Sequence, residues 1–173
     1  MRWLLTILGG LAAAALIAGG ASAEPQTRCE VAPFSFGDAI VIDVDFGPSG
    51  TRVEWTTPIV STTVDCPGMP VLGIDVWEHA YYVMGVRENG KQVWFLRGRA
   101  EVVIDLPGAG GPVPFVGTLR GRRPADDVID TIVTVRSPAG AKVELEQTGI
   151  LDLDAGTLDL DVTQGFFNIE ALP

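Results

Sequence analysis

Histidine and cysteine are scarce in this chain of 173 residues. The one histidine, His79, is not accompanied by a G-x-S-x-G segment, so the sequence offers little for catalysis by a nucleophile and a neighbouring base. The two cysteines, Cys29 and Cys66, together with one distant histidine do not complete a tetrahedral metal site. We therefore expect a protein that is not an enzyme and that holds no metal or cofactor.

Positive charge is also in short supply. Lysine and arginine together number 12 against 22 aspartates and glutamates, which gives a formal net charge of -10 at pH 7. Because such a chain repels polyanions, nucleic acid and anionic membrane surfaces are poor partners. Hydrophobic residues make up 47% of the chain, which is too many for an acidic disordered segment. The composition predicts a folded domain.

The first 23 residues have the pattern of a secretory signal peptide. Arg2 supplies the positive charge, Leu4 to Ile17 is an apolar run, and Ala21-Ser22-Ala23 is a small-residue cleavage pattern. No later run is apolar and long enough to span a bilayer. We expect residues 1–23 to be removed and residues 24–173 to form one domain that is secreted, periplasmic or at the cell surface, with no transmembrane segment.

An even pair of cysteines in an exported chain is most simply one disulfide. Cys29 and Cys66 would close a loop of about 38 residues, which the chain-entropy model values at up to ~4 kcal/mol. The sequence therefore predicts a Cys29–Cys66 bond near the start of the domain.

Glycine and proline interrupt the mature chain about every ten residues, a spacing typical of an all-β sandwich or barrel. No segment after residue 23 shows a sustained helical period. The clearest element is a hairpin in which Ile74 to Arg87 and Gln92 to Leu106 flank Glu88-Asn89-Gly90-Lys91. An Asn-Gly type I′ turn there would place Met84 opposite Phe95 and Trp94 opposite Gly85. The remaining candidate strands are Ile42 to Phe46, Arg52 to Thr56, Ile59 to Asp65, Val113 to Leu119, Val128 to Val135, Lys142 to Gln147, Leu151 to Asp154, Leu158 to Val162 and Phe166 to Ile169.

Aspartates alternate with apolar residues in three places, which predicts half-buried strands with a carboxylate face. In the last two places Asp152 and Asp154 would lie opposite Asp161 and Asp159 in a second hairpin. Such a face has three interpretations: a solvated acidic surface, a calcium site, or the paired carboxylates of a glycosidase. We favour the solvated surface, because no calcium-loop motif is present and nothing separates two carboxyl environments.

Other residues have two interpretations each. Trp55, Trp77 and Trp94 are either core residues, which we favour, or a platform for sugars. His79 is a packed or surface residue rather than a base. Arg120, Arg122 and Arg123 are either a solvated turn or the docking point for an acidic partner or carboxylated glycan. The Gly-rich loop Pro107 to Pro112 is a second candidate contact.

Two segments together resemble the start of spore coat U-type and chaperone-usher pilin domains. The first runs from Cys29 to Gly37 and contains the pattern Cys29, Val31, Phe36 and Gly37, and the second is Thr63-Val64-Asp65-Cys66. The resemblance implies an immunoglobulin-like antiparallel β-sandwich, for which we expect about 7–10 strands. It also implies periplasmic export and assembly into a surface fibre by strand donation.

We expect an exported, non-catalytic structural or adhesive surface subunit whose partner is a protein, including a second copy, or a glycan. The alternative is a periplasmic or secreted binding or inhibitor domain that uses Arg120, Arg122 and Arg123 or the Gly-rich loop. A third hypothesis is a calcium-stabilised protein or a hydrolase with an acidic site.

Overall fold

The computed structural model describes residues 27–47, 50–85, 95–105, 110–125 and 127–169. These residues form an all-β, antiparallel structure, as predicted, with no helix in the described part. The ten strands are β1 (Thr27–Val31), β2 (Phe34–Gly47), β3 (Gly50–Thr56), β4 (Val60–Asp65), β5 (Leu72–Gly85), β6 (Phe95–Asp105), β7 (Val113–Arg122), β8 (Val128–Arg136), β9 (Lys142–Asp152) and β10 (Thr157–Ile169). The signal peptide predicted at residues 1–23 lies outside the described residues.

The strands belong to one sheet that closes on itself. From β5 to β10 each strand pairs with the next. β10 pairs with β1 and β2, these pair with β4 and β3, and β4 and β3 pair with β5, which completes the circle of neighbours. β1 and β2 follow one another along the same edge of β10, and β4 and β3 do so along the same edge of β5. Ten strands therefore occupy eight positions around a ring.

Prolines mark the two places where a ring position is divided. Pro33 lies between β1 and β2, and Pro58 lies between β3 and β4. Proline has no N–H for the ladder, so a strand that contains it is interrupted there. The two divided positions meet along one seam, which consists of the β2–β3 ladder and of only two pairs, Glu30 with Asp65 and Val31 with Val64, between β1 and β4.

The predicted disulfide is confirmed, and it lies at this seam. Cys29 and Cys66 are bonded, their Cα atoms are 4.2 Å apart, and both side chains are buried. The bond continues the register of the short β1–β4 ladder by one further pair. A disulfide is compatible with an extracellular or periplasmic location, where thiols are oxidised.

The interior is filled by residues that alternate along each strand. The rings of Phe115 on β7 and Phe167 on β10 meet edge to face with centroids 5.8 Å apart, although their strands are not neighbours. Opposite walls of the ring therefore pack against one another as the two layers of a sandwich do. No helix long and apolar enough to cross a membrane occurs in the part of the chain that the structure describes.

The register predicted for the first hairpin is wrong by one residue. Gly85 pairs with Phe95 and Met84 with Leu96, so an odd number of residues separates each pair. A two-residue turn without a bulge needs an even number. The predicted turn, residues 88–91, and Trp94 lie outside the described residues.

The prediction that aspartates face one another in the second hairpin is also wrong. Asp152 pairs with Thr157, and Asp161 pairs with Thr148. A longer turn, residues 153–156, separates the strands, and the carboxylate of Asp152 accepts a hydrogen bond from the Ala155 N–H at 2.8 Å. The carboxylate of Asp159 accepts the N–H of Ala39, a residue with a positive φ of 57° at a register shift. Asp152 and Asp159, which were predicted to lie on the carboxylate face, thus stabilise a turn and a bulge by accepting backbone hydrogen bonds.

The disulfide is expected to contribute a large part of the stability, because it joins cysteines 37 positions apart and supports the shortest ladder of the ring. Replacing both cysteines with alanine should lower the free energy of unfolding by roughly 2–4 kcal/mol in urea titrations. Reduced wild-type protein is the matched control and should lose a similar amount. A loss below about 0.5 kcal/mol in both samples would contradict this role of the bond.

Candidate functional site

A four-residue motif occurs twice in neighbouring strands. Leu96-Arg97-Gly98-Arg99 lies in β6, and Leu119-Arg120-Gly121-Arg122 lies in β7. The leucines point into the core and are fully buried, and the arginines are exposed on the outer surface. Alternation along each strand therefore places all four arginines on one side of the sheet. We call Arg97, Arg99, Arg120 and Arg122 the arginine face.

The glycines of the motif let these strands approach their neighbours. A Cβ atom on Gly98 would overlap the carbonyl oxygen of Tyr81 on β5, and one on Gly121 would overlap the carbonyl oxygen of Asp130 on β8. A glycine on the inner side of a strand permits such contacts where a sheet curves sharply. The repeated motif thus provides both the close contacts between strands and the outward arginines.

The arginines of the two strands lie directly beside one another. Arg97 and Arg120 are cross-strand partners, and neighbouring strands are about 4.8 Å apart. Arg122 Nε binds Asp130 Oδ2 at 3.2 Å, whereas Arg97, Arg99 and Arg120 form no ion pair with any described residue. Like charges opposite one another destabilise a sheet. In a chain with 22 acidic residues, this concentration of uncompensated positive charge is exceptional.

A groove adjoins the arginine face on the outer surface of β7 to β10. It has a volume of about 610 Å³ and its lining is mostly apolar in area. Arg120 and Arg122 border it, and the half-exposed side chain of Ile132 contributes to its lining. The remaining lining residues are Gly121, Asp130, Thr131, Glu146, Gln147, Thr148 and Thr163. The lining combines Arg120 and Arg122 with two acids, Asp130 and Glu146, so positive charge is confined to the border of the groove on β7.

The structure divides the three arginines predicted as a contact. Arg120 and Arg122 lie on the arginine face, as the docking interpretation requires. Arg123 follows the end of β7, is partly buried, and acts on the core residue Tyr82: burial raises the pKa of Tyr82, and the positive charge of Arg123 opposes that rise. Of the predicted contact loop Pro107 to Pro112, residues 107–109 lie outside the described residues.

Arg97 and Arg99 were missed by the sequence reasoning. The repeat of Leu-Arg-Gly-Arg was a usable signal, because burial of the leucine in each copy turns the arginines of both strands to the outer face. The register then decides only which arginines are direct neighbours.

A second polar group lies inside the ring. Glu78 on β5 is fully buried, and its Oε2 accepts a hydrogen bond from Nε2 of Gln147 on β9 at 2.6 Å. Oε1 of Gln147 accepts a hydrogen bond from the Thr131 hydroxyl at 2.9 Å. β5 and β9 occupy opposite positions of the ring, so this contact joins its two walls.

Burial makes this carboxyl group hard to ionise. Desolvation raises the pKa of Glu78 from 4.5 to about 7, and the hydrogen bond from Gln147 opposes the rise. The indole N–H of Trp55 also opposes it, although its geometry falls short of a hydrogen bond. Glu78 Oε1, Trp55 Nε1 and the Tyr82 hydroxyl have no hydrogen-bond partner among the described residues. These groups have no access to a substrate from solvent, since all three residues are at most 2% exposed.

The remaining candidates do not form a reactive centre. His79 lies on the outer surface, with Nε2 2.8 Å from Oε1 of Glu54, whose other oxygen binds Arg52 at 2.6 Å. Trp55 is buried and packs edge to face on Tyr82, with centroids 5.6 Å apart, so it belongs to the core and not to a sugar platform. Within the described ranges, no three histidine, cysteine or acidic residues are grouped so as to hold a metal ion.

Comparison with known proteins gives one partial match. The family model of the C-terminal domain of iron/manganese superoxide dismutases matches residues 50–94, about a quarter of the chain. No curated protein and no solved structure matches the chain. The matched residues that the structure describes form antiparallel strands and contain one histidine, His79, without the ligand set of an iron or manganese site. The structure and this match therefore do not agree.

The expected relationship to spore coat U-type and chaperone-usher pilin domains is wrong. The matching family model is a different one, and no coat or pilin family is found. The motif that suggested it is permissive, since Phe36 and Gly37 only need to begin a strand near a disulfide. Phe36 is a buried core residue of β2, and Gly37 has a positive φ of 105° beside the bulge at Ala39.

Glu78 is expected to make the stability depend on pH. Its pKa is raised in the folded state, so its contribution is fully present below about pH 4.5 and is lost as the pH rises through about 7. Between about pH 5 and pH 8 the loss should amount to roughly 2–3 kcal/mol. Glu78→Gln, which is neutral at every pH and still accepts from Gln147, should remove this part of the dependence in urea titrations.

The matched control is Glu101→Gln, which changes an exposed carboxylate on the neighbouring strand. It should leave the wild-type pH dependence in place. A Glu78→Gln protein whose stability falls with pH as steeply as that of the wild type would contradict the assignment.

Proposed function

We propose that the protein is an exported, non-catalytic binding domain that uses the arginine face and the adjoining groove to recognise a carboxylate-bearing partner. The observation that carries this proposal is the juxtaposition of Arg97 with Arg120, two cations without an ion-pair partner among the described residues of an acidic chain. The sheet loses stability by placing them together, and a bound anion removes that loss.

The chemistry of the face favours carboxylates presented in a row. Guanidinium groups bind carboxylates through two parallel hydrogen bonds. Arg97 and Arg120 stand about 4.8 Å apart across the strands, and the two arginines of each strand stand about 7 Å apart along it. Acidic side chains on an extended peptide and uronate units of a glycan both present repeated carboxylates. The apolar groove adds a site for a neighbouring hydrophobic group.

The closed ring also supports a binding domain. Each ring position already has a neighbour on both sides, so the sheet needs no strand from another protein to complete it. The excess acid elsewhere on the surface confines the binding of anionic groups to the arginine face.

The test uses a labelled extended acidic peptide and a polyuronate chain as probes, with fluorescence anisotropy at low and physiological salt. Wild-type protein should bind at least one probe, and the affinity should fall as salt rises. The double variant Arg97→Ser/Arg120→Ser should weaken binding about tenfold or more, because each charged hydrogen bond contributes about 1.5 kcal/mol or more.

The matched control is Arg136→Ser, which removes an exposed arginine of β8 that lies outside the arginine face. Its affinity should stay within about twofold of wild type. Failure to bind either probe at low salt, or an equal loss of affinity in the control, would refute the proposed function.

A further inference from the structure

The end of the β2–β3 hairpin extends beyond the core. Alternation from Ile42 and Val44 places Phe46 on the inner side of β2, yet its side chain is 76% exposed. Phe46 pairs with Thr51, and Gly47 pairs with Gly50, so the ladder continues to the end of the described strands. An inward-facing phenylalanine is exposed only where the strand has passed the end of the packed interior.

Two carboxylates precede this phenylalanine on the outer side of the same strand. Asp43 and Asp45 are exposed and form no ion pair with a described residue, because Arg52, the cross-strand partner of Asp45, binds Glu54 instead. Side chains two residues apart on a strand are separated by about 7 Å. We call Asp43, Asp45 and Phe46 the acidic tip.

The acidic tip complements the arginine face in charge. Its carboxylates have the same two-residue spacing along β2 as Arg97 and Arg99 have along β6. Because Phe46 points to the opposite side of β2 from the carboxylates, the tip enters edge-on, with the carboxylates toward the arginines and Phe46 toward the groove of about 610 Å³ that borders Arg120. Buried aromatic anchors surrounded by charged pairs are the usual centre of a protein interface.

The two surfaces of one molecule cannot meet each other. β2 and β7 occupy opposite positions in the ring, separated by β10, β9 and β8 on one side and by β3, β5 and β6 on the other. The tip of one copy is therefore available to the groove of another. Such a contact joins two different surfaces. A row of copies therefore has a free acidic tip at one end and a free groove at the other, where a further copy can bind.

We propose that the partner recognised by the arginine face is a second copy of this chain, whose acidic tip docks in the groove to give a head-to-tail assembly. This inference rests on the proposed function and specifies its partner. The carboxylates orient the encounter, and Phe46 supplies the apolar anchor. Assembly of this kind makes the protein a structural subunit without exchange of a strand.

The experiment is a charge-exchange test by sedimentation velocity on the exported protein at low ionic strength. One variant, Arg97→Glu/Arg120→Glu, carries acid on both surfaces. The other, Asp43→Lys/Asp45→Lys, carries base on both. Wild-type protein should associate as its concentration rises, each variant alone should stay monomeric, and an equimolar mixture should associate again because every contact then joins opposite charges.

The anchor is tested separately. Phe46→Ser should weaken self-association about tenfold or more, since it removes a buried aromatic group from the contact. Ile59→Ser is the matched control, because Ile59 is 66% exposed at a different place in the ring, and it should leave association unchanged. All substituted residues are exposed, and circular dichroism of each variant verifies that the sheet is retained.

Wild-type protein that stays monomeric at every concentration, or a mixture of the two charge variants that stays monomeric while wild type associates, would overturn the self-docking inference. The anisotropy measurements separate this result from a failure of the proposed function. Arginine-dependent binding of the acidic probe by a protein that does not self-associate leaves the binding domain intact and removes only the second copy as its partner.

Discussion

Closure of the sheet is the constraint on which the rest of this structure depends. A ring of hydrogen-bonded strands fixes an inside and an outside, and all side chains must divide between them by simple alternation. The ring is closed at a seam that two prolines interrupt, where only two residue pairs join β1 to β4. The Cys29–Cys66 bond lies at that point, so the covalent link acts where the hydrogen-bonded ladder is shortest.

Closure also explains why polar groups are found in two very different settings. Inside, Glu78 and Gln147 join opposite walls, and burial raises the pKa of the Glu78 carboxyl group to about 7. Outside, the arginines of β6 and β7 keep their charge in water. The glycines between them have no Cβ to obstruct the neighbouring backbone, and the register of β6 with β7 pairs Arg97 with Arg120. The fold thus concentrates positive charge on an otherwise acidic molecule.

Local features of the fold could be predicted from the sequence, because they depend on alternation, turn residues and cysteine count. The all-β class, most strand positions and the disulfide follow from these signals. The register of the first hairpin did not follow from Asn89-Gly90, since one further residue in a connection shifts every pair. Ring closure was not predictable either, because it depends on the pairing of β10 with β1 and β2, which lie far from β10 in the sequence.

The candidate site was predictable in part for the same reason. Arg120 and Arg122 stand out as a local cluster, whereas Arg97 and Arg99 join them only through strand pairing, and Arg123 leaves the surface because β7 ends before it. Burial of Glu78 also depends on the opposite wall, which no local pattern reveals.

The most direct test of the arginine face is an NMR titration that follows the Nε–Hε signals of the arginine side chains as an acidic peptide is added. The account predicts that the signals of Arg97, Arg99, Arg120 and Arg122 shift first and together, while those of Arg28 and Arg136 stay in place. Equal shifts for all arginines, or none for these four, would contradict it.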